Sequence, residues 1–340
     1  MAYITLNKKH FFNNLDIIAK LCKGKDKIAL VLKDNAYGHG LCEMAKMAQE
    51  YGITKAVVRS YAEAKAIEEF FEYILVLADF PQAKSDKIRY TVNDLEALQK
   101  FEKGTKVELK VNTGMNRNGI EAEALREAFE CVQKQGLELE ALFTHHSCAD
   151  EDECIFSQQN EKFAVIKKEA QELQKEFALK ELRFHSCNSA ALFQTEDFSE
   201  DMVRVGIAAY GCLELPKNAH AEQLEPILSL FAQKISTRHL REDACVGYGA
   251  TYKAESACTI GNYDFGYGDG FLRICSNDYV TPQGVKLLGR ISMDNSSFLC
   301  SDAELLIFND ARELAKYAHT ISYEILTALK ANLKRVVLQQ

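Results

Sequence analysis

The stretch Lys27-Ile28-Ala29-Leu30-Val31-Leu32-Lys33-Asp34-Asn35-Ala36-Tyr37-Gly38-His39-Gly40 passes from an apolar run into a polar, glycine-bearing one, with a single lysine at the join. A short apolar run bounded by turn residues is the pattern of a strand buried on both faces, as in a parallel sheet. Lys33 then emerges where that strand ends. Lost hydration there lowers the pKa of an amine and makes it nucleophilic. Such an amine can form an imine with an aldehyde cofactor such as pyridoxal phosphate. Asn35 and the glycines suit a tight loop, and Tyr37 and His39 add polar tips that could meet a phosphate. The plain alternative is a lysine that merely snorkels at a strand end.

Working outward, β-like runs alternate with helix-like ones through the first two-thirds of the chain. The candidate strands are Lys27–Lys33, Lys55–Arg59, Tyr73–Leu77, Ile88–Val92, Lys106–Val111, Leu139–His145, Leu182–His185 and Met202–Val205. Amphipathic segments such as Leu41–Tyr51, Ala62–Phe71, Asn93–Phe101, Ala122–Gln135 and Gln158–Phe177 lie between them, and Lys8–Lys23 reads as a leading helix. Regular alternation with eight strands predicts an α/β fold, a (β/α)8 TIM-type barrel. After about residue 215 the rhythm changes. Pro216, Pro226 and Gly/Ser/Thr mixtures separate the runs Ile227–Ile235, Ala257–Phe265 and Lys286–Ser292, with helical patterns at Asp310–His319 and Tyr323–Leu333. The expectation is a barrel over 1–220 and a C-terminal mostly-β domain over 221–340.

The composition is that of a globular protein: 340 residues, 47% hydrophobic, 26% charged. A formal charge of −8 argues against a broad nucleic-acid surface. No apolar run approaches the roughly 20 residues of a membrane span. The N-terminus shows no signal-peptide pattern, and the eleven cysteines are scattered without Cys-x-x-Cys spacing, so reduced thiols and a cytoplasmic location are expected. His145, His146, Cys148 and His185 match no zinc spacing, and no metal is expected.

Barrel enzymes assemble their sites at the C-terminal ends of strands. Those ends offer Lys33, Arg117, His145, Asn188 with Ser189, and Arg204 with Gly206. Packing alone does not account for so many polar groups on one face. Ser189 and the backbone amides of Gly206 and Ile207 suit a phosphate, although Asn188-Ser189-Ala190-Ala191 also reads as a plain helix N-cap.

Taken together, the segments Lys33–Gly40, Lys110–Arg117, Thr144–Glu151, His185–Ala191, Arg204–Gly211, Gly247–Tyr252, Gly266–Gly270 and Gly289–Asp294 resemble, in order, the motifs of the alanine racemases. That resemblance implies pyridoxal 5'-phosphate held by Lys33, which also serves as one of two catalytic bases. It implies Tyr248 as the second base, reaching the site from the partner subunit of a homodimer, with His145 linking it to Arg204. Arg204 would face the pyridine nitrogen of the cofactor. Arg117 would contact the phenolic oxygen and the substrate carboxylate, and the backbone amide of Met293 would contact that carboxylate from the partner. Tyr37, Ser189, Gly206, Ile207 and Tyr323 match phosphate contacts, with Asn188 beside them. Tyr267, Arg273, Arg290 and Asp294 fall on the side through which substrate arrives. Lys110 matches a position carbamylated in some members. The implied activity interconverts L- and D-alanine, supplying D-alanine for peptidoglycan.

The chain departs from the family pattern in places. Asn112 stands where an aspartate is usual, Asn116 and Asn118 flank Arg117, and the segment between Asp294 and Tyr323 is short, as though a hairpin were trimmed. Three alternatives remain open. One is a racemase for serine, lysine or another amino acid on the same fold. A basic-amino-acid decarboxylase of similar architecture is disfavoured by Arg204 and Tyr248. A single-domain cofactor-binding barrel without turnover is disfavoured by the hundred-odd residues after the barrel.

Overall fold

A computed structural model describes residues 1–215 and 218–339, so Pro216 lies outside the described residues. The chain opens with β1 (Tyr3–Asn7) and a helix over Lys8–Leu21, N-capped by the Asn7 side chain. The barrel follows. Its strands are β2 (Ile28–Val31), β3 (Lys55–Val58), β4 (Tyr73–Val76), β5 (Ile88–Val92), β6 (Lys106–Lys110), β7 (Glu138–Phe143), β8 (Arg183–His185) and β9 (Val203–Val205). All pair in parallel in the order β8-β7-β6-β5-β4-β3-β2-β9. Both β2 and β4 are buried at every position, which is why each reads as an unbroken apolar run. The seam between β8 and β9 closes through two backbone hydrogen bonds, Asp201 N to Phe184 O (3.2 Å) and Arg204 N to Cys187 O (3.0 Å).

The mostly-β domain contains β10 (Leu228–Leu240), a hairpin of β11 (Cys245–Val246) and β12 (Tyr252–Lys253), then β13 (Cys258–Tyr263), β14 (Ser296–Phe298), β15 (Glu304–Phe308) and β16 (Lys334–Leu338). Its sheet runs β14-β13-β10-β1-β16, with β15 on β10. β1 therefore comes from the other end of the chain, lying antiparallel to β10 (Tyr3 opposite Phe231) and parallel to β16 (Tyr3 opposite Lys334). Lys286–Ser292, expected as a strand, forms only isolated bridges. Two of its amides turn aside to side chains: Gly289 N donates to Asn277 Oδ1 and Ile291 N to Ser276 Oγ. Tyr323–Leu333, expected as a helix, ends its helix at Ala328 (Ser322–Ala328) and leads into β16. No helix among the described residues is long and apolar enough to cross a membrane.

One hydrophobic core runs from the barrel into the six-stranded sheet. A small separate cluster of Val246, Ile260 and Leu288 supports the β11–β12 hairpin.

Candidate active site

Lys33 leaves β2 into a turn of unusual hand. Asp34, Asn35, Ala36 and Tyr37 have φ of +54°, +57°, +52° and +50°, a left-handed run that L-residues avoid. Several contacts hold it. Leu41 N donates to Asn35 Oδ1 (2.9 Å), and Arg335 reaches back from β16 to the carbonyl of Gly38 (2.8 Å). Gly38 must lack a side chain, because a Cβ there would collide with the Leu326 carbonyl. His39 is fully buried, its Nδ1 bonded to the carbonyls of Ala36 and Tyr37 and its ring stacked on Tyr210 at 4.3 Å. It locks the turn and does not offer a tip to phosphate, which corrects the sequence expectation.

Beyond the strand ends lies a cavity of about 480 Å³. Lys33, Tyr37, Arg117, His145, Asn188, Ser189, Arg204, Gly206, Ile207 and Tyr323 all line it, together with Lys110. Burial lowers the Lys33 amine from its usual value, as do Arg117 and Arg59, against the raising effect of Asp34 and Glu63. Burial pulls Lys110 down to about 8, helped by the cations Arg117, Arg204 and Lys33.

Arg204 is buried and fixed from several sides. Its guanidinium donates to the carbonyls of Thr144 (2.6 Å) and Ser186 (3.0 Å), to His185 Nδ1 (2.6 Å) and, at 3.4 Å, to His145 Nδ1. Arginine only donates, so both Nδ1 atoms must be unprotonated. Burial and the nearby cations push His145 well below its usual range, keeping it neutral with its proton on Nε2. His185 is likewise lowered by burial, and its Nε2 donates to Glu108 Oε2 at 3.0 Å. Burial alone would raise the Glu108 carboxyl. Its bonds to His185 and Tyr73 (2.6 Å) and its pairing with Arg183 (2.9 Å) instead hold it well below the usual carboxylate range. A relay thus runs Arg204–His185–Glu108–Arg183 through the barrel interior. The sequence weighed His185 only against metal, and Glu108 carried no signal beyond being a carboxylate inside a strand.

In the same lining, Ser189 Oγ accepts from Gly206 N (3.1 Å) and Ala208 N (3.3 Å). Asn188 caps the helix Ser189–Gln194 through Ala191 N and also donates weakly to the His146 carbonyl (3.4 Å). A Cβ on Gly206 would lie 2.8 Å from the Tyr37 ring. The rings of Tyr37 and Tyr323 pack with centroids 5.8 Å apart, tilted by 56°. Hydroxyls and amides gathered beside an amine and a guanidinium fit a phosphate-bearing aldehyde with a ring nitrogen, which is what pyridoxal phosphate presents.

The asparagine at 112 has a local reason. Its Oδ1 accepts from Gly114 N and Asn116 N, while its Nδ2 donates to Asn116 Oδ1 (2.9 Å) and Glu121 Oε1 (2.8 Å). An aspartate would set a second carboxylate against Glu121. Asn116 takes φ +54°, which asparagine tolerates. Asn118 bonds Asn93, and Arg117 stands exposed at the cavity mouth.

Tyr248 and Met293 do not line this cavity. They are 66% and 55% exposed, on the surface of the β domain. Tyr248 begins a turn between β11 and β12 that packs on Arg290, and Met293 O accepts from Gly268 N at 2.7 Å beside Tyr267. The turn that carries Tyr248 thus meets the segment Arg290–Met293, to which Tyr267 is also joined through Tyr267 N to Ser292 O (3.0 Å).

The family model for "Alanine racemase, N-terminal domain" matches residues 6–214, and that for "Alanine racemase, C-terminal domain" matches residues 227–337. An alanine racemase of a Nitratiruptor species is 44% identical over 335 residues, covering 98% of this chain and 99% of that protein. One from Campylobacter curvus is 41% identical over 339 residues, covering 98% of this chain and 99% of its own. Among solved structures, alanine racemase from Streptomyces lavendulae superposes with a TM-score of 0.89 at 25% identity, over 100% of this chain and 97% of that one. The Bacillus anthracis enzyme with bound L-Ala-P gives 0.87 at 27%, over 100% and 95%. Barrel, β domain and sequence agree, and the chain belongs to the alanine racemase family of isomerases.

Proposed function

We propose that this protein interconverts L- and D-alanine with pyridoxal 5'-phosphate as cofactor, as a homodimer whose cavities are each completed by Tyr248 and Met293 of the other copy. Residues up to about 220, joined by Tyr323, hold the cofactor, and those from 221 onward carry the second base. The observation that carries this reading is the convergence of Lys33, Arg117, His145 and Arg204 with hydroxyl and amide donors in one cavity. When bound, the cofactor supplies an aldehyde for an amine and a conjugated ring that acidifies the substrate Cα–H.

Lys33 Nζ would hold that aldehyde and stand as the base on one face of the substrate Cα. Racemisation returns a proton to the opposite face, which requires a second base there. Tyr248 Oη meets that need. A phenol has an ordinary pKa near ~10. His145, neutral with its proton on Nε2, can donate to the phenolate oxygen and favour it. Arg204 would face the ring nitrogen and, as a permanently charged guanidinium, would donate there without yielding its own proton, which disfavours spreading of charge into the ring. Hydroxyls of Tyr37, Ser189 and Tyr323 and amides of Gly206 and Ile207 would grip the phosphate, beside Asn188. Arg117 and the Met293 amide orient the substrate carboxylate. D-alanine so formed would supply peptidoglycan synthesis, and that role implies a cytoplasmic location.

The test is a D-amino-acid-oxidase-coupled assay on the purified protein with a panel of L-amino acids. L-alanine is expected to turn over. No turnover of L-alanine with robust turnover of serine or lysine would overturn the substrate assignment.

A further inference from the structure

Four successive residues after Lys33 lie in the left-handed region, and the N–H groups of Asp34 and Asn35 at the start of that turn open into a common hollow. In this chain the hollow faces a carboxylate. Glu63 Oε1 accepts from Asp34 N at 2.7 Å and from Asn35 N at 3.4 Å. Its other oxygen, Oε2, accepts from Arg59 N at 2.9 Å and Ser60 N at 3.4 Å. One half-buried carboxylate therefore ties the segment leaving β2 to the segment leaving β3, and an ion pair between Arg59 and Asp34 (3.0 Å) runs alongside.

Glu63 also sits three residues into the helix Tyr61–Ile67, in a capping box with Ser60. Capping accounts for the bonds to Ser60 and the helix end. It does not account for Oε1, which serves only the turn beside Lys33.

We propose that Glu63 is a positioning residue for Lys33: its carboxylate holds the left-handed turn in place and thereby aims the Lys33 amine into the cavity. This rests on the reading of Lys33 as the cofactor-bearing lysine. The clamp acts through the turn and touches neither cofactor nor substrate.

The substitution Glu63→Gln separates the two duties. Glutamine serves in a capping box, which engages its single acceptor oxygen with the amides of Arg59 and Ser60 and leaves those of Asp34 and Asn35 facing an NH2 group that cannot accept. Ser60→Ala is the control: it removes the cap from Glu63 N (3.3 Å) and leaves both carboxylate oxygens in place. Three quantities are measured on the full-length protein: amide hydrogen exchange across residues 33–40, affinity for pyridoxal phosphate by absorbance, and the separate kcat and KM for L-alanine.

For Glu63→Gln we expect exchange at Asp34 and Asn35 to quicken about tenfold or more. Cofactor affinity should weaken about tenfold and kcat fall about tenfold, with KM moving less than about twofold. Ser60→Ala should lower thermal stability without these changes. If Glu63→Gln matches Ser60→Ala in all three readouts, the carboxylate is only a helix cap and the proposal fails. Borohydride fixation of cofactor in the wild type but not in Lys33→Ala tests the underlying assignment separately. Its failure would remove the role of Lys33 while the exchange data still decided whether Glu63 clamps the turn.

Discussion

Lys33 ends a strand that is buried at every position and enters a turn braced by Glu63, Arg335 and the last helix, whereas Tyr248 sits 66% exposed on a hairpin of two-residue strands over a three-residue apolar cluster. The first region is finished within one chain. The second is displayed outward, next to exposed Met293 and Tyr267, and lies outside the cavity of its own chain. The difference teaches that the amine and guanidinium of the cavity are fixed from within one chain, by barrel and C-terminal segments together, while the Tyr248 phenol meets no such enclosure in its own chain. Under the proposed function, a base lent by another copy would need a rigid receiving wall, and the buried Arg204–His185–Glu108 relay is suited to form one.

Substitutions on the two sides should differ in kind. Lys33→Ala is expected to abolish both cofactor retention and racemisation, a loss of roughly 10⁴-fold or more in rate. Tyr248→Phe should lose about 10²–10⁴-fold in racemisation yet keep the cofactor absorbance. Unchanged racemisation in Tyr248→Phe would exclude that phenol as a base and erase the contrast.

The buried relay sharpens the comparison on the finished side. Glu108→Gln leaves Arg183 and His185 short of their buried carboxylate and should cost about 3 kcal/mol or more at neutral pH, read by denaturant unfolding. The sign with pH follows from the depressed carboxyl. Its stabilisation is fully present above the unfolded value near ~4.3 and is lost as pH falls through the lower folded value. The gap between wild type and Glu108→Gln should therefore narrow under acid. A gap that stayed constant down to the acid transition would mean that the Glu108 charge contributes nothing.

Smaller effects are expected nearer the cavity edge. Gly206→Ala forces a methyl against the Tyr37 ring and should weaken cofactor binding by about 1–3 kcal/mol, measured by titration of the cofactor absorbance. Asn112→Asp sets a like charge beside Glu121 and should lower stability by no more than about 1 kcal/mol at neutral pH, with little change below the carboxylate pKa range.

Much of the finished side was legible in the sequence because its signals are local. An apolar run ending in Lys33 predicts a buried strand and an emerging amine, and all eight barrel strands are present within a residue or two of their expected bounds. What escaped depends on distance in the chain. The pairing of Tyr3 with Phe231 leaves no trace near either residue, so β1 could not be placed in the β sheet. Glu63 reads as a helix cap and reveals its second duty only when β2 and β3 lie side by side. His39 looked like a ligand because a polar ring in a loop gives the same signal whether it faces a cavity or a stacked Tyr210. Lys286–Ser292 carries a strand-like pattern, yet Asn277 and Ser276 take amides that a ladder would have used.

The most direct test of the divided site is complementation. Lys33→Ala and Tyr248→Phe chains, each inactive alone, are co-expressed and the mixture is assayed for racemisation of L-alanine. If Tyr248 serves the other copy, each heterodimer holds one site free of both defects. A statistical mixture should then recover about a quarter of wild-type activity. If heterodimers form by mass spectrometry and no activity appears above either parent, Tyr248 does not act across the dimer and the account is contradicted.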